Sequence, residues 1–422
     1  MLQSRLPTAR AHGRRPERSG RPFLIVGGGW LILMAGANVA TPLYAVYAQR
    51  FAFSSLELTT IFATYAAVLV PALIIFGRLS DRLGRRPVIG TGLAVAALAL
   101  ILFAAAGSPA WLYGARALQG LAVGMISGAA TAALVELEPG GDPRRAAMYA
   151  GLAQAGGSAL GPLAAGILAQ WAPQPLRVPF LALLAATIAA GALTLRVPEA
   201  ESFQPRPWRL QLPAVPAGIL RPFARVSLTA AIVWAVLALY LSVIPSYASD
   251  LLNTGDLALL AAIAALAPGT SAVVQILLRR RPTDLRRAQC AGLTVLAVSL
   301  VVLIAASPAH SVALLFAGSL AAGAGHGAAF LNAQEELNRV APGDRRGEVT
   351  AAFIACIYVL VGTSVVGVGV LDSWASLAVA VGIVSALLLA LAVVAALWQL
   401  AAASARRPPT SSPAPARSRR TP

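Results

Sequence analysis

The sequence contains no lysine. It has two cysteines, three histidines and little charge, with only 12% of its 422 residues Asp, Glu, Lys or Arg, against about a quarter in an ordinary soluble domain. Each shortage excludes something. Cys290 and Cys356 lie in or beside apolar runs, far apart and with no histidine nearby, which excludes a zinc spacing and speaks against a disulfide. So few charges cannot cover a water-facing globule that is 58% hydrophobic, because surface must be clothed by polar groups. No phosphate-binding glycine loop, metal constellation or catalytic triad is found, so no enzymatic chemistry and no bound cofactor are expected. Mid-run carboxylates are missing too: all sixteen acids fall at or beyond the ends of apolar runs.

What remains is apolar length. Runs of about twenty apolar residues cross a bilayer as helices. Twelve are read at 23–48, 58–77, 88–106, 111–135, 147–170, 177–196, 223–249, 257–279, 289–306, 311–337, 348–370 and 375–399. The net charge of +17 is carried by arginine, in short clusters between runs rather than along one basic face, so nucleic acid is not the expected partner. Thirty of the 33 arginines fall on one side of the predicted layer. The positive-inside bias makes that side cytoplasmic, with both termini there and the chain in the inner membrane. Trp111, Trp171 and Trp374 fall at the other interface. Residues 1–22 and 400–422 read as disordered basic tails, and residues 197–222 as a cytoplasmic linker. That linker separates a six-helix half at 23–196 from another at 223–399. A faint repeat agrees: Gly120, Gly124, Pro139 and Gly140 recur 203 positions on as Gly323, Gly327, Pro342 and Gly343.

The turn between the second and third runs reads FGRLSDRLGRRP. Its arginines fit a topology-setting loop, but Gly77, Asp81 and Gly84 at their spacing ask for more. The glycines permit a tight turn, and Asp81 can bond a guanidinium or cap a helix. Here the sequence resembles the major facilitator superfamily, whose loop pattern G-x-L-(A/S)-D-R-x-G-R-(R/K) is met by Gly77, Leu79, Ser80, Asp81, Arg82, Gly84, Arg85 and Arg86. RALQGLAVG resembles the family's R-x-x-Q-G-x-x-x-G pattern through Arg116, Gln119, Gly120 and Gly124. GSALGPLAAG resembles its antiporter pattern through Gly157, Gly161, Pro162 and Gly166, with Ala165 in place of one glycine. The resemblance implies an all-α membrane fold of twelve helices in two pseudo-symmetric bundles. It also implies a latch in which Asp81 meets the region near Gly347 to Thr350 in the outward-facing state. The second-half turn RRRPTDLRRA has Pro282 where Asp81 stands, so no second latch of this kind is expected. On the residues themselves, Gly157, Gly161 and Pro162 would weaken and bend the fifth span.

Arg116 is the one charge placed well inside a run, which demands a wet cavity or a partner unless it snorkels outward. Gln119 is one turn away. Asn38 and Tyr44 on the first span, Trp234 and Tyr240 on the seventh, and Asn332 on the tenth are further candidates for the pathway. His326 either cycles a proton or sits neutral between helices. Glu136, Glu335 and Glu336 lie near the arginine-rich helix ends, either functional or solvated. The expected function is export of a small, partly apolar molecule by a monomer working through alternating access, driven by exchange with protons. The alternatives are a proton-coupled importer of a sugar or organic anion, and a receptor or scaffold of the same shape.

Overall fold

In the computed structural model, residues 20–77, 79–199, 212–278, 284–343 and 345–404 are described. Residues 1–19 and 405–422 of the two basic tails and residues 200–211 of the linker lie outside those residues. The described chain is helical: α1 Arg21–Asn38, α2 Tyr44–Phe51, α3 Ser55–Phe76, α4 Leu79–Leu83, α5 Arg85–Ala104, α6 Pro109–Leu137, α7 Pro143–Trp171 and α8 Val178–Thr194. After the linker come α9 Leu220–Ser242, α10 Ile244–Leu252, α11 Leu257–Leu278, α12 Leu285–Ala309, α13 Val312–Val340, α14 Arg346–Asp372 and α15 Leu377–Ser404. Among the described residues, eleven segments are long and apolar enough to cross a membrane, and the 17-residue α8 is a shorter twelfth. The predicted spans match these within a few residues, with two differences. The first breaks between α1 and α2 through a 3-10 turn at Thr41–Leu43, where Pro42 has no N–H to continue the ladder. The seventh breaks between α9 and α10, where Pro245 does the same. The α7 helix runs unbroken through Pro162.

The repeat in the sequence is a repeat in packing. Gly120 on α6 lies so close to α3 that an added Cβ would strike the Tyr65 carbonyl, and Gly323 on α13 meets the Ala267 carbonyl of α11 in the same way. Small residues let helix backbones touch where lipid offers no hydrophobic drive. The first six spans meet the last six along two seams, α3 with α14 and α7 with α11. Each seam is pinned by one glycine at the end away from the arginine clusters. On Gly166 a Cβ would sit 2.5 Å from the Leu257 carbonyl oxygen, and on Gly369 it would sit 2.8 Å from Leu56 Cα. These two glycines are also 203 positions apart. At the same end, Gln170 accepts a hydrogen bond from the Leu257 N–H at 2.8 Å, and α10 touches α2. The structure is therefore closed at its arginine-poor end. Trp111, Trp171 and Trp374 are exposed there, as an interfacial aromatic belt is. Cys290 and Cys356 are both free thiols.

Candidate functional site

The break after α1 builds the first half of the site. Carbonyls in the last turn of a helix lack helical donors, and those of Gly36 and Ala37 are taken by side chains of α6. Arg116 Nη1 donates to Ala37 O at 2.8 Å and to Gln119 Oε1 at 2.9 Å. Gln119 Nε2 donates to Gly36 O at 2.7 Å, and Arg116 Nε donates to the Tyr44 hydroxyl. The guanidinium also lies 5.2, 4.9 and 5.8 Å from the ring centres of Tyr44, Phe62 and Tyr65. Such faces stabilise a desolvated cation by about 1–2 kcal/mol each. Arg116 is 1% exposed, so it does not snorkel. Among the described residues no carboxylate pairs with it, and its Nη2 has no acceptor there. Asn38 is next along α1, and its Nδ2 donates to Met34 O at 2.9 Å and to Ser158 Oγ of α7 at 3.3 Å.

The second cluster joins α9, α11 and α13. The His326 ring centre lies 5.1 Å from that of Trp234, edge to face, and 5.4 Å from that of Phe330, nearly parallel. His326 Nδ1 is 2.8 Å from Ser271 Oγ, which accepts from Gln275 Nε2 at 3.0 Å. Gln275 in turn faces Gly151 of α7 across the seam. The other two pathway candidates lie apart from both clusters. Tyr240 is fully buried beside Gly318, and Asn332 bonds back to Ala328 O at 2.7 Å. Phe62, Tyr65, Ser271, Gln275 and Phe330 were not legible as site residues, since an aromatic or a serine in an apolar run reads as packing until a second helix meets it.

A family model described as Major Facilitator Superfamily matches residues 26–288. The chain belongs to the Major Facilitator Superfamily. It is similar to the puromycin resistance protein pur8 of Streptomyces alboniger, 30% identical over 166 residues, which is 39% of this chain and 33% of that one. The match thus spans about a third of that relative's length. Its fold is that of the nucleoside transporter NupG, with a TM-score of 0.70 and 12% identity over 90% of this chain and 99% of the other. The human organic anion transporter MFSD10 (TETRAN) gives 0.66, with 16% identity over 92% and 100%. This is a multi-pass membrane transporter and not an enzyme.

In this facilitator the signature loop centres on Arg85. Its guanidinium bonds Asp81 at 2.6 Å, Ser80 at 2.6 Å and Glu136 at 2.9 Å. Gly84, at φ 95°, turns the chain so that the Arg85 and Arg86 N–H groups donate to Glu199 at 3.1 and 2.8 Å, a carboxylate cap on the positive end of α5. Arg82 is exposed, and Gly77 closes α3 with its N–H on Leu73 O at 2.9 Å. Gly157 and Gly161 lie against the α1 backbone at Leu31 and Ala35, and Gly166 lies against α11. The second half holds what the sequence hid. Arg225, counted with the linker cluster, is 3% exposed inside α9 and pairs with Glu336. Arg286 Nε reaches the same carboxylate at 3.1 Å and Gln289 Nε2 at 2.7 Å. Gln399 completes the network through Gln289 and Thr229. Glu336 is thus neither solvated nor free, because two arginines from other helices repay its burial. Arg116 is not the only arginine buried within a span.

Proposed function

We propose that this facilitator exports a small, partly apolar compound across the cytoplasmic membrane by alternating access, in exchange for protons. The observation that carries the reading is the position of α7. Its Gly157-to-Gly166 run, which resembles the antiporter pattern, lies against α1 with two glycines and against α11 of the other half with the third. A helix so placed couples both halves wherever they rock. The aromatic lining around Arg116 and around His326 suits an apolar body with a polar edge. The resistance function named for the pur8 relative points the same way. With the arginine-rich end and both termini in the cytoplasm, the closed ends of the seams at Gly166 and Gly369 face outward. Asp81 then holds Arg85 within its own half, leaving its latch with α14 for the outward-facing state. Everted vesicles with an acid interior should accumulate puromycin above an empty-vector control, and a protonophore should abolish the difference. Accumulation indifferent to the gradient refutes the exchange.

A second reading is favoured by one observation, the missing carboxylate at Arg116. An imported organic anion would supply that counter-charge. Uptake of a labelled carboxylate by whole cells, lost in Arg116→Gln, would establish it in place of export.

A further inference from the structure

His326 has its proton placed by its neighbours. Gln275 Nε2 can only donate, so Ser271 Oγ accepts from it. The Ser271 hydroxyl hydrogen then has one acceptor in reach, His326 Nδ1. A neutral imidazole that accepts at Nδ1 carries its hydrogen on Nε2. That Nε2 is buried with no hydrogen-bond partner, and so is Nε1 of Trp234, the adjoining ring. The indole N–H is a donor only, so the two groups cannot satisfy each other. A buried donor left without an acceptor keeps its full desolvation cost, and two adjacent cases ask for an acceptor from elsewhere. The surroundings say where it comes from. The α9 helix is enclosed on all sides, with every residue from Thr229 to Pro245 buried except Trp234. The open part of Trp234 therefore faces a space inside the protein and not lipid. Phe330 stands at right angles to it, with ring centres 5.5 Å apart.

We infer that Trp234 and His326 form a substrate subsite with two N–H donors and an aromatic wall, selective for an uncharged flat ring bearing a hydrogen-bond acceptor such as a ring nitrogen or carbonyl. Two neutral donors do not repay the desolvation of a carboxylate, which separates this subsite from Arg116. The inference rests on the transporter carrying an apolar molecule with a polar edge, and it is independent of direction. The test is binding of quinoline, naphthalene and 2-naphthoate to the full-length protein in detergent, compared between wild type and variants so that micelle partitioning cancels. Quinoline should lose about tenfold in affinity in Trp234→Phe and in His326→Phe, the worth of one well-made hydrogen bond. Naphthalene should change less than twofold in both variants. Equal losses for quinoline and naphthalene in Trp234→Phe, a variant that keeps the wall, overturn the subsite. So does 2-naphthoate showing the same dependence on both residues. If the quinoline dependence holds and everted vesicles accumulate nothing, the export reading fails and the subsite stands.

Discussion

Replacing Gly369 by alanine should push the transporter toward the state open at its arginine-poor end. The added methyl would lie 2.8 Å from Leu56 Cα and 2.9 Å from the Ser55 carbonyl oxygen, and nearer still to Thr59 Oγ1. A threonine side chain can turn aside, but the α3 backbone cannot. Overpacking of this kind costs about 1–3 kcal/mol, and it falls only on the conformation in which α3 and α14 touch. At about 1.4 kcal/mol per tenfold, the closed-to-open ratio should fall by roughly 5- to 150-fold. The readout belongs at the other seam, so that it reports movement of whole halves. Spin labels at Gln174→Cys and Gly255→Cys, exposed positions flanking α7 and α11, are introduced after Cys290 and Cys356 are replaced. Double electron–electron resonance should show a longer-distance population growing in Gly369→Ala, and growing further when Gly166→Ala is added. Thr59→Ala should reverse part of the shift. An unchanged distance distribution in a Gly369→Ala protein that melts normally would refute the argument, because the helix would then have absorbed the methyl locally.

Other outcomes follow from the same contacts. Glu336→Gln removes the buried carboxylate that Arg225 and Arg286 share and should cost about 3–5 kcal/mol, seen as a lower melting temperature in detergent. The neighbouring Glu335→Gln, half exposed, should cost less than about 1 kcal/mol in the same assay. Nitrogen-15 histidine spectra, simple in a chain with three histidines, should show one locked Nε2–H tautomer that Ser271→Ala releases; tautomer averaging in the wild type counts against the proton placement. Arg116→Gln should lower turnover in everted vesicles at least tenfold with normal membrane insertion, and unchanged turnover would remove Arg116 from the pathway.

The twelve spans were legible because crossing a bilayer depends on local apolar length, which needs no knowledge of neighbours. The loop from Gly77 to Arg86 was legible for a similar reason, since a tight turn writes its glycines and charges side by side. The 203-residue spacing of Gly120 and Gly323 was visible too, although it takes the matched contacts at Tyr65 and Ala267 to show that the spacing reflects packing. Other features had no local signature. Arg225 looked like one more linker arginine, and Glu336 like a solvated helix end, until four helices brought their side chains to one point. The aromatic faces over Arg116 come from α2 and α3, and the Ala37 carbonyl that accepts from it is free to do so because α1 stops where it does. Gly369 stood in no motif, yet it meets Leu56 across more than three hundred positions of chain. Burial in lipid is a sum over consecutive residues, so primary structure carries it. Partnership depends on how each helix is rotated against the next, and that rotation is chosen by the packing of all the helices together.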